Sequence, residues 1–317
     1  MTATTTMTGP TVAVHCGTRG PILVDWVRGS LPGCAVVEAG TPEAAGAEVL
    51  ATLAGADSEG VVGALTPSVR WVHVLGAGID RFPLDAVGDR VLTCSRGASA
   101  PAIAEFVLAS MLAFEKQLPE QWITEPPDQW NAAALGGLED RTLGLVGLGA
   151  IGSEVAKRAL AFDMSVTALR RSDRPAPLAG IELVTDLGSL LAVADHVVVA
   201  APATARTAHL VNAEALARLK PGAHVVNVAR GTLVDNEALL AALDDGRIAR
   251  ATLDVVDPEP LPAGHPLYAH PRVRLTPHIS WSSPRTLLRT MELFVANVDR
   301  YRSGQPVLGI VDLEEGY

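Results

Sequence analysis

Leu143-Gly144-Leu145-Val146-Gly147-Leu148-Gly149-Ala150-Ile151-Gly152-Ser153-Glu154-Val155-Ala156 is the stretch on which the reading of this chain turns. An apolar run of strand character ends in glycine, the glycines follow the pattern G-x-G-x-x-G, and an alanine-rich helical stretch takes over. The hexapeptide alone is a weak signal. Placed between a strand and a helix, it reads as the phosphate-binding turn of a dinucleotide fold. Gly147 permits the tight turn, Gly149 lets the backbone approach a diphosphate, and Gly152 lets the helix pack close to the sheet. The anion would rest on the N-terminal N–H groups of the helix, where the dipole favours negative charge. Gly147, Leu148, Gly149, Ala150, Ile151 and Gly152 are therefore assigned to cofactor binding.

The same alternation of short β-branched runs with alanine- and leucine-rich stretches extends in both directions, as expected of βαβ units around parallel sheets. On the N-terminal side the pattern predicts strands at Thr11–Cys16, Cys34–Glu38, Gly60–Ala64, Trp71–Leu75 and Arg90–Thr93, with helix over Pro42–Ala54. On the C-terminal side it predicts strands at Ser165–Leu169, Glu182–Val184, His196–Ala200, His224–Val228 and Ile248–Leu253. Two long helices, Pro101–Gln117 and Pro284–Tyr301, flank the dinucleotide module. They place residues 1–97 with 283–317 in one discontinuous domain and 98–282 in an inserted NAD(P)-binding domain.

Composition bounds the rest. The 317 residues are 48% hydrophobic and 19% charged, which excludes a disordered chain and suits two domains. Net charge is −10 with no basic arm, which argues against nucleic-acid and anionic-membrane partners. The Thr-rich start, Met1–Pro10, lacks the basic and apolar regions of a signal peptide, and Pro101–Phe114 is too short to span a bilayer. Cys16, Cys34 and Cys94 fit neither a disulfide framework nor a metal site. The expectation is a soluble, cytoplasmic protein without a metal.

The strand after the glycine turn reports on the ribose. An NAD site wants a carboxylate there for the ribose hydroxyls, but this chain has Arg170-Arg171-Ser172, with Arg170 eighteen residues past Gly152. Guanidiniums clamp a 2′-phosphate that a carboxylate would repel. NADP(H) is the expected cofactor, with NAD(H) as a second possibility.

Three further segments sit after strands, where ligand crevices of such sheets form: Asn227-Val228-Ala229-Arg230-Gly231, Leu253-Asp254 through Glu259-Pro260-Leu261-Pro262, and Thr276-Pro277-His278-Ile279-Ser280-Trp281. An arginine, a glutamate and a histidine converging there suit reduction of a 2-oxo acid. Arg230 would polarise the oxo acid, His278 would give a proton to the nascent alkoxide, and Glu259 would orient the imidazole and favour its charged form.

These motifs, in this order, resemble the D-isomer-specific 2-hydroxyacid dehydrogenase family, which includes glyoxylate/hydroxypyruvate reductases. The resemblance covers nearly the whole chain and is tightest from Leu143 to Trp281. It implies an α/β protein of two Rossmann-like, doubly wound parallel-sheet domains, the substrate domain flavodoxin-like. It implies catalytic roles for Arg230, Glu259 and His278, and a nicotinamide contact for Asp254. Further cofactor contacts fall on Ala201, Pro202, Thr207, Val228, Ala229, His278 and Ser280. Gly76-Ala77-Gly78-Ile79-Asp80 resembles the loop that binds the substrate carboxylate, so Ala77 and Gly78 join Arg230, His278 and Trp281 as substrate residues. A homodimer is implied as well.

Two departures are specific to this chain: the family often has Asn near the position of Cys94, and Ser280-Trp281 replaces a small pair. His15, His73, His196, His209, His224, His265 and His270 read as non-catalytic. Two other readings stay open. One is a relative oxidising another small anion, phosphite-like; a formate dehydrogenase is disfavoured because those enzymes carry Gln where this chain has Glu259. The other is a nucleotide-sensing corepressor-like protein without turnover.

Overall fold

In a computed structural model, residues 9–15, 17, 21–53, 55–80, 82–171 and 174–317 are described. They fall into two compact units, one holding the residues up to Ser99 together with Ser283–Tyr317, the other Ala100–Ser282. Among the described residues no helix is long and apolar enough to cross a membrane.

The first unit carries a five-stranded parallel sheet made of β1 (Thr11–His15), β2 (Ala35–Glu38), β3 (Val49–Leu53), β4 (Trp71–Leu75) and β5 (Val91–Cys94), in the order β2-β1-β3-β4-β5. Helices α1 (Pro21–Ser30) and α2 (Ser58–Ala64) belong to it. Two expectations fail here. Pro42–Ala54 is not helical throughout: a short 3-10 turn over Pro42–Gly46 gives way to β3. Val49, Leu50 and Ala51 are fully buried in the middle of the sheet, and burial on both faces overrides alanine's helix preference. Gly60–Ala64 is helix, not strand. Asp57 caps it by accepting the Gly60 N–H, and this local bond outweighs the β-branched pair Val61-Val62. Beyond the final helix of the chain, Cys94 N–H donates to the Gly309 carbonyl and Val311 N–H to that of Leu92, so the last stretch lies along β5.

The second unit opens with α3 (Ala100–Glu115) and carries a seven-stranded parallel sheet. Its strands are β6 (Thr142–Val146), β7 (Ser165–Leu169), β8 (Ile181–Val184), β9 (His196–Val199), β10 (Ala223–Asn227), β11 (Ile248–Leu253) and β12 (Val273–Leu275). The order is β12-β11-β10-β9-β6-β7-β8. From β6 the chain steps outward through β7 and β8, then returns to add β9 on the other side of β6. That reversal makes a crevice at the carboxyl ends of β6 and β9, where ligands of open α/β sheets bind. Every residue of β9 and β10 is buried, as a central strand covered by helices on both faces requires. The helices are α4 (Ala150–Leu160), α5 (Leu187–Val193), α6 (Ala213–Ala217), α7 (Asn236–Asp244) and α8 (Pro266–Ala269). One core packs Leu190, Leu216 and Leu239 against the sheet, and a second packs Met111, Leu145 and Val155. The long helix α9 (Pro284–Arg302) returns to the first unit and contributes Met291, Phe294 and Val298 to its core.

Candidate active site

The glycine turn lies at the strand reversal. Gly147 has φ of 104°, and a Cβ on it would come within 2.7 Å of the Ala201 backbone nitrogen. The turn after β6 and the chain leaving β9 therefore touch main chain to main chain. A Cβ on Gly152 would meet the Gly147 carbonyl oxygen at 2.3 Å, so this glycine serves the packing of α4. Gly149 differs: a Cβ there would meet nothing within 4 Å, leaving open space over the first turn of α4. The N–H groups of that first turn have no intrahelical acceptor and point outward. Open space over unpaired donors, at a helix N-terminus eleven residues long, fits the diphosphate of a dinucleotide.

The neighbouring loops are shaped by their own side chains. Thr207 Oγ1 donates to the Pro202 carbonyl and accepts the Thr204 N–H, both at 2.8 Å, folding the segment after Ala201 into a compact turn. After β7, half-buried Arg170 lays its guanidinium along its own loop, with Nη1 donating to the Pro175 carbonyl at 3.0 Å. Arg171 is exposed beside it, and Ser172 lies outside the described residues.

At the ends of β10, β11 and β12 the structure brings three loops together. Asn227, the last residue of β10, is 1% exposed and braces the loop after it: its Nδ2 donates to the Arg230 carbonyl at 2.9 Å, and its Oδ1 accepts the Ala229 N–H. Val228 and Ala229 are buried, and Arg230 emerges half-buried, donating from Nη1 to the Ala229 carbonyl. Gly231 seals this loop to the next. A Cβ there would lie 1.9 Å from the Val256 carbonyl carbon, so only glycine permits the contact. On the far side of it, Glu259 Oε1 accepts the Val256 N–H at 3.2 Å, while Oε2 meets His278 Nδ1 at 2.9 Å.

Asp254 organises the segment that carries the histidine. Its carboxylate accepts from Thr276 Oγ1 at 2.6 Å, Ile279 N–H at 2.8 Å and Ser280 N–H at 2.9 Å, and its carbonyl accepts the His278 N–H. The residue is 1% exposed, and these donors offset the cost of burying its charge. Trp281 closes the segment, its indole N–H donating to the His278 carbonyl at 2.8 Å. The imidazole of His278 has Nδ1 tied to Glu259. Among the described residues no partner is placed on Nε2, and the side chain is 42% exposed. Such a ring can hand over or take up a proton at Nε2.

Ala77 and Gly78 lie in the other unit, in the loop after β4. Asn227 and Thr276 act as braces that nothing local in the sequence marks, except position at a strand end. Asn227 closes β10, two and three residues before the backbone groups it holds, and Thr276 follows β12 but steadies Asp254, 22 residues upstream. Among the described residues no group of three or more His, Cys, Asp or Glu could hold a metal ion.

Comparison with known proteins places these features in a family. Residues 108–280 match the D-isomer specific 2-hydroxyacid dehydrogenase, NAD binding domain. A glyoxylate reductase of Thermofilum pendens is 35% identical over 263 residues, covering 78% of this chain and 76% of that protein. A D-3-phosphoglycerate dehydrogenase of Mycobacterium tuberculosis is 38% identical over 82% of this chain, which spans only 49% of that longer protein. Among solved structures, a D-isomer specific 2-hydroxyacid dehydrogenase from Xanthobacter autotrophicus Py2, in complex with NADPH and MES, superposes with a TM-score of 0.84. Its identity is 29%, with 98% of this chain and 100% of that one covered. With the glycine turn at the strand reversal and a histidine–glutamate pair at the strand ends, the chain belongs to the D-isomer specific 2-hydroxyacid dehydrogenase family and is an NAD(P)-dependent oxidoreductase acting on CH–OH groups.

Proposed function

We propose that this protein is an NADPH-preferring reductase of small 2-oxo acids, such as glyoxylate or hydroxypyruvate, with His278 as general acid. The observation that carries the proposal is the bond between His278 Nδ1 and Glu259 at 2.9 Å, which leaves Nε2 directed at no protein partner among the described residues. The bound nicotinamide supplies the hydride. Arg230 holds and polarises the oxo acid, and the backbone N–H groups of Ala77 and Gly78 are assigned to its carboxylate. His278 gives its Nε2 proton to the oxygen that becomes the hydroxyl, and Glu259 steadies the charged ring until that proton leaves. Gly147–Gly152 hold the diphosphate, and Arg170 and Arg171 bind the 2′-phosphate.

A homodimer goes with this reading. On the loop following α3, Trp122 and Trp130 are 72% and 78% exposed, the kind of apolar surface that a second copy would cover. Cys34 and Cys94 are free and buried, in keeping with a reducing cytoplasm.

The test is a panel of 2-oxo acids assayed with NADPH and with NADH, with phosphite and NADP+ as the competing donor reaction. Losing one charge-assisted bond costs about 1.5 to 3 kcal/mol, so Arg170→Ala should lower kcat/KM for NADPH roughly 10- to 150-fold and leave NADH nearly unchanged. Equal use of both cofactors, unaltered in Arg170→Ala, would overturn the cofactor preference. Oxidation of phosphite without reduction of any 2-oxo acid would overturn the substrate class.

A further inference from the structure

His278 has φ of 56°, a left-handed backbone conformation that side chains with a Cβ rarely adopt and that the surroundings must enforce. The enforcing bonds come from two directions. From below, Asp254 takes the loop's N–H groups: its carbonyl accepts from His278 at 2.9 Å, and its carboxylate accepts from Ile279 and Ser280. From the other side, the carbonyl of His278 is held by the Trp281 indole N–H at 2.8 Å. Ser282 N–H donates to the Ile279 carbonyl at 2.9 Å and closes the short turn that carries Trp281 back over His278. An indole has one donor and no acceptor, on a rigid ring with two rotatable bonds, so a committed N–H fixes the whole side chain.

We infer that Trp281 is a positioning residue for the proton donor. Its indole N–H holds the His278 carbonyl, and with it the left-handed turn that presents Nδ1 to Glu259 and leaves Nε2 open. This deepens the proposed role of His278 and rests on it. It gives Trp281 a task separate from lining the substrate pocket, and the two tasks depend on different parts of the ring: positioning needs the N–H, a pocket wall needs the benzo face.

Two substitutions separate them. Trp281→Phe keeps an aromatic face and removes the donor. Trp281→His keeps a five-membered ring whose Nε2 occupies the place of the indole nitrogen, and removes the benzo face. At pH 8 an ordinary imidazole, with a pKa of about 6.5, is neutral and still carries one N–H. Steady-state rates with NADPH would be measured on glyoxylate and on a bulkier 2-oxo acid, together with the primary isotope effect from 4-deuterated NADPH. Loss of one neutral hydrogen bond at the donor's anchor should lower kcat about three- to tenfold in Trp281→Phe, equally for both substrates. KM should stay put, the isotope effect should rise, and Trp281→His should recover most of the rate. The reverse order, with Trp281→Phe like wild type and Trp281→His impaired, overturns the inference. So does a change confined to KM that varies with the substrate's side chain. His278→Ala run alongside separates the two levels: turnover retained there defeats the general-acid reading itself, whereas an inactive His278→Ala beside a fully active Trp281→Phe defeats only the positioning role. If Trp281→Phe does not fold, Trp281→His against Trp281→Leu makes the same comparison, with equal rates overturning the inference and a faster histidine variant supporting it.

Discussion

Among its described residues the second unit contains two histidine–glutamate pairs, at opposite ends of its sheet. At the carboxyl ends of the strands, His278 meets Glu259 at 2.9 Å. At the amino ends, His196, the first residue of β9, meets Glu115, the last residue of α3, at 3.1 Å. The pairs match in composition and nearly in distance, but their surroundings differ. His278 is 42% exposed, and only one ring nitrogen is committed. His196 is fully buried; its second nitrogen lies 3.3 Å from His224 Nδ1, and His224 Nε2 in turn lies 2.9 Å from Thr252 Oγ1. Phe114 stacks on His224 with ring centroids 4.8 Å apart. The chemistry proposed for the first pair depends on one nitrogen that remains unspent and exposed to a ligand. With both nitrogens spent and solvent excluded, the same pair ties a helix end to a sheet.

The contrast would break most visibly at His278. His278→Ala should reduce turnover about 10²- to 10⁴-fold while NADPH still binds, because the contacts proposed for the diphosphate and 2′-phosphate lie mainly at Gly147–Gly152 and the Arg170 loop. Rapid kinetics and a fluorescence titration with NADPH check both halves, and Glu259→Gln should lower turnover by a smaller factor. His196→Ala is the mirror experiment. It leaves Glu115 buried, with Arg141 at 3.7 Å as its charged neighbour among the described residues, and should cost about 3 to 5 kcal/mol of stability. Denaturant unfolding would register that cost, whereas kcat per folded molecule should not change. A catalytic loss in His196→Ala without loss of stability would erase the distinction.

The smallest expected effect sharpens it through pH. Burial pushes His73, in the first unit, down to about 3, and holds His224 well below its ordinary value, with the His196 and Arg250 charges adding to the effect. Both rings are therefore neutral in the folded protein and take up protons on unfolding below about pH 6.5. Their contribution to stability is complete above that value and falls away as pH drops, at about 1.4 kcal/mol per pH unit for each ring, with His73 levelling off near its folded value of about 3. Urea midpoints taken between pH 7 and pH 4 measure this slope. His73→Asn and His224→Asn should flatten it.

Much of the site was legible because its residues occupy strand ends in a fixed order. Gly147, Arg230 and Glu259 each follow a run whose β-branched residues mark a strand, whereas His278 follows the short, partly buried β12, which the pattern alone does not mark. What stayed hidden was contact between loops distant in sequence. Nothing local in Gly231 announces that Val256 lies against it, or that Asp254 accepts donors from 22 to 26 residues downstream. His196 and His224 could be set aside as non-catalytic, but the bond between them requires the register of β9 against β10, which pairs the two positions directly. In the first unit, Gly60–Ala64 misled because Val61-Val62 has strand character, and only the Asp57 cap decides for helix. Pro42–Ala54 misled for the opposite reason, since alanine favours helix until a sheet buries it on both faces.

The buried histidine chain also serves as a gauge. Every ring nitrogen in it is engaged inside the protein: His196 Nε2 with Glu115, His196 Nδ1 with His224 Nδ1, and His224 Nε2 with Thr252 Oγ1. Both imidazoles are wholly shielded from water, so their ring protons can trade with solvent only when this end of the sheet opens. Their exchange in heavy water, followed through imidazole nitrogen resonances, would therefore time the opening of the unit from inside it, in the unaltered protein and under conditions where it turns over substrate.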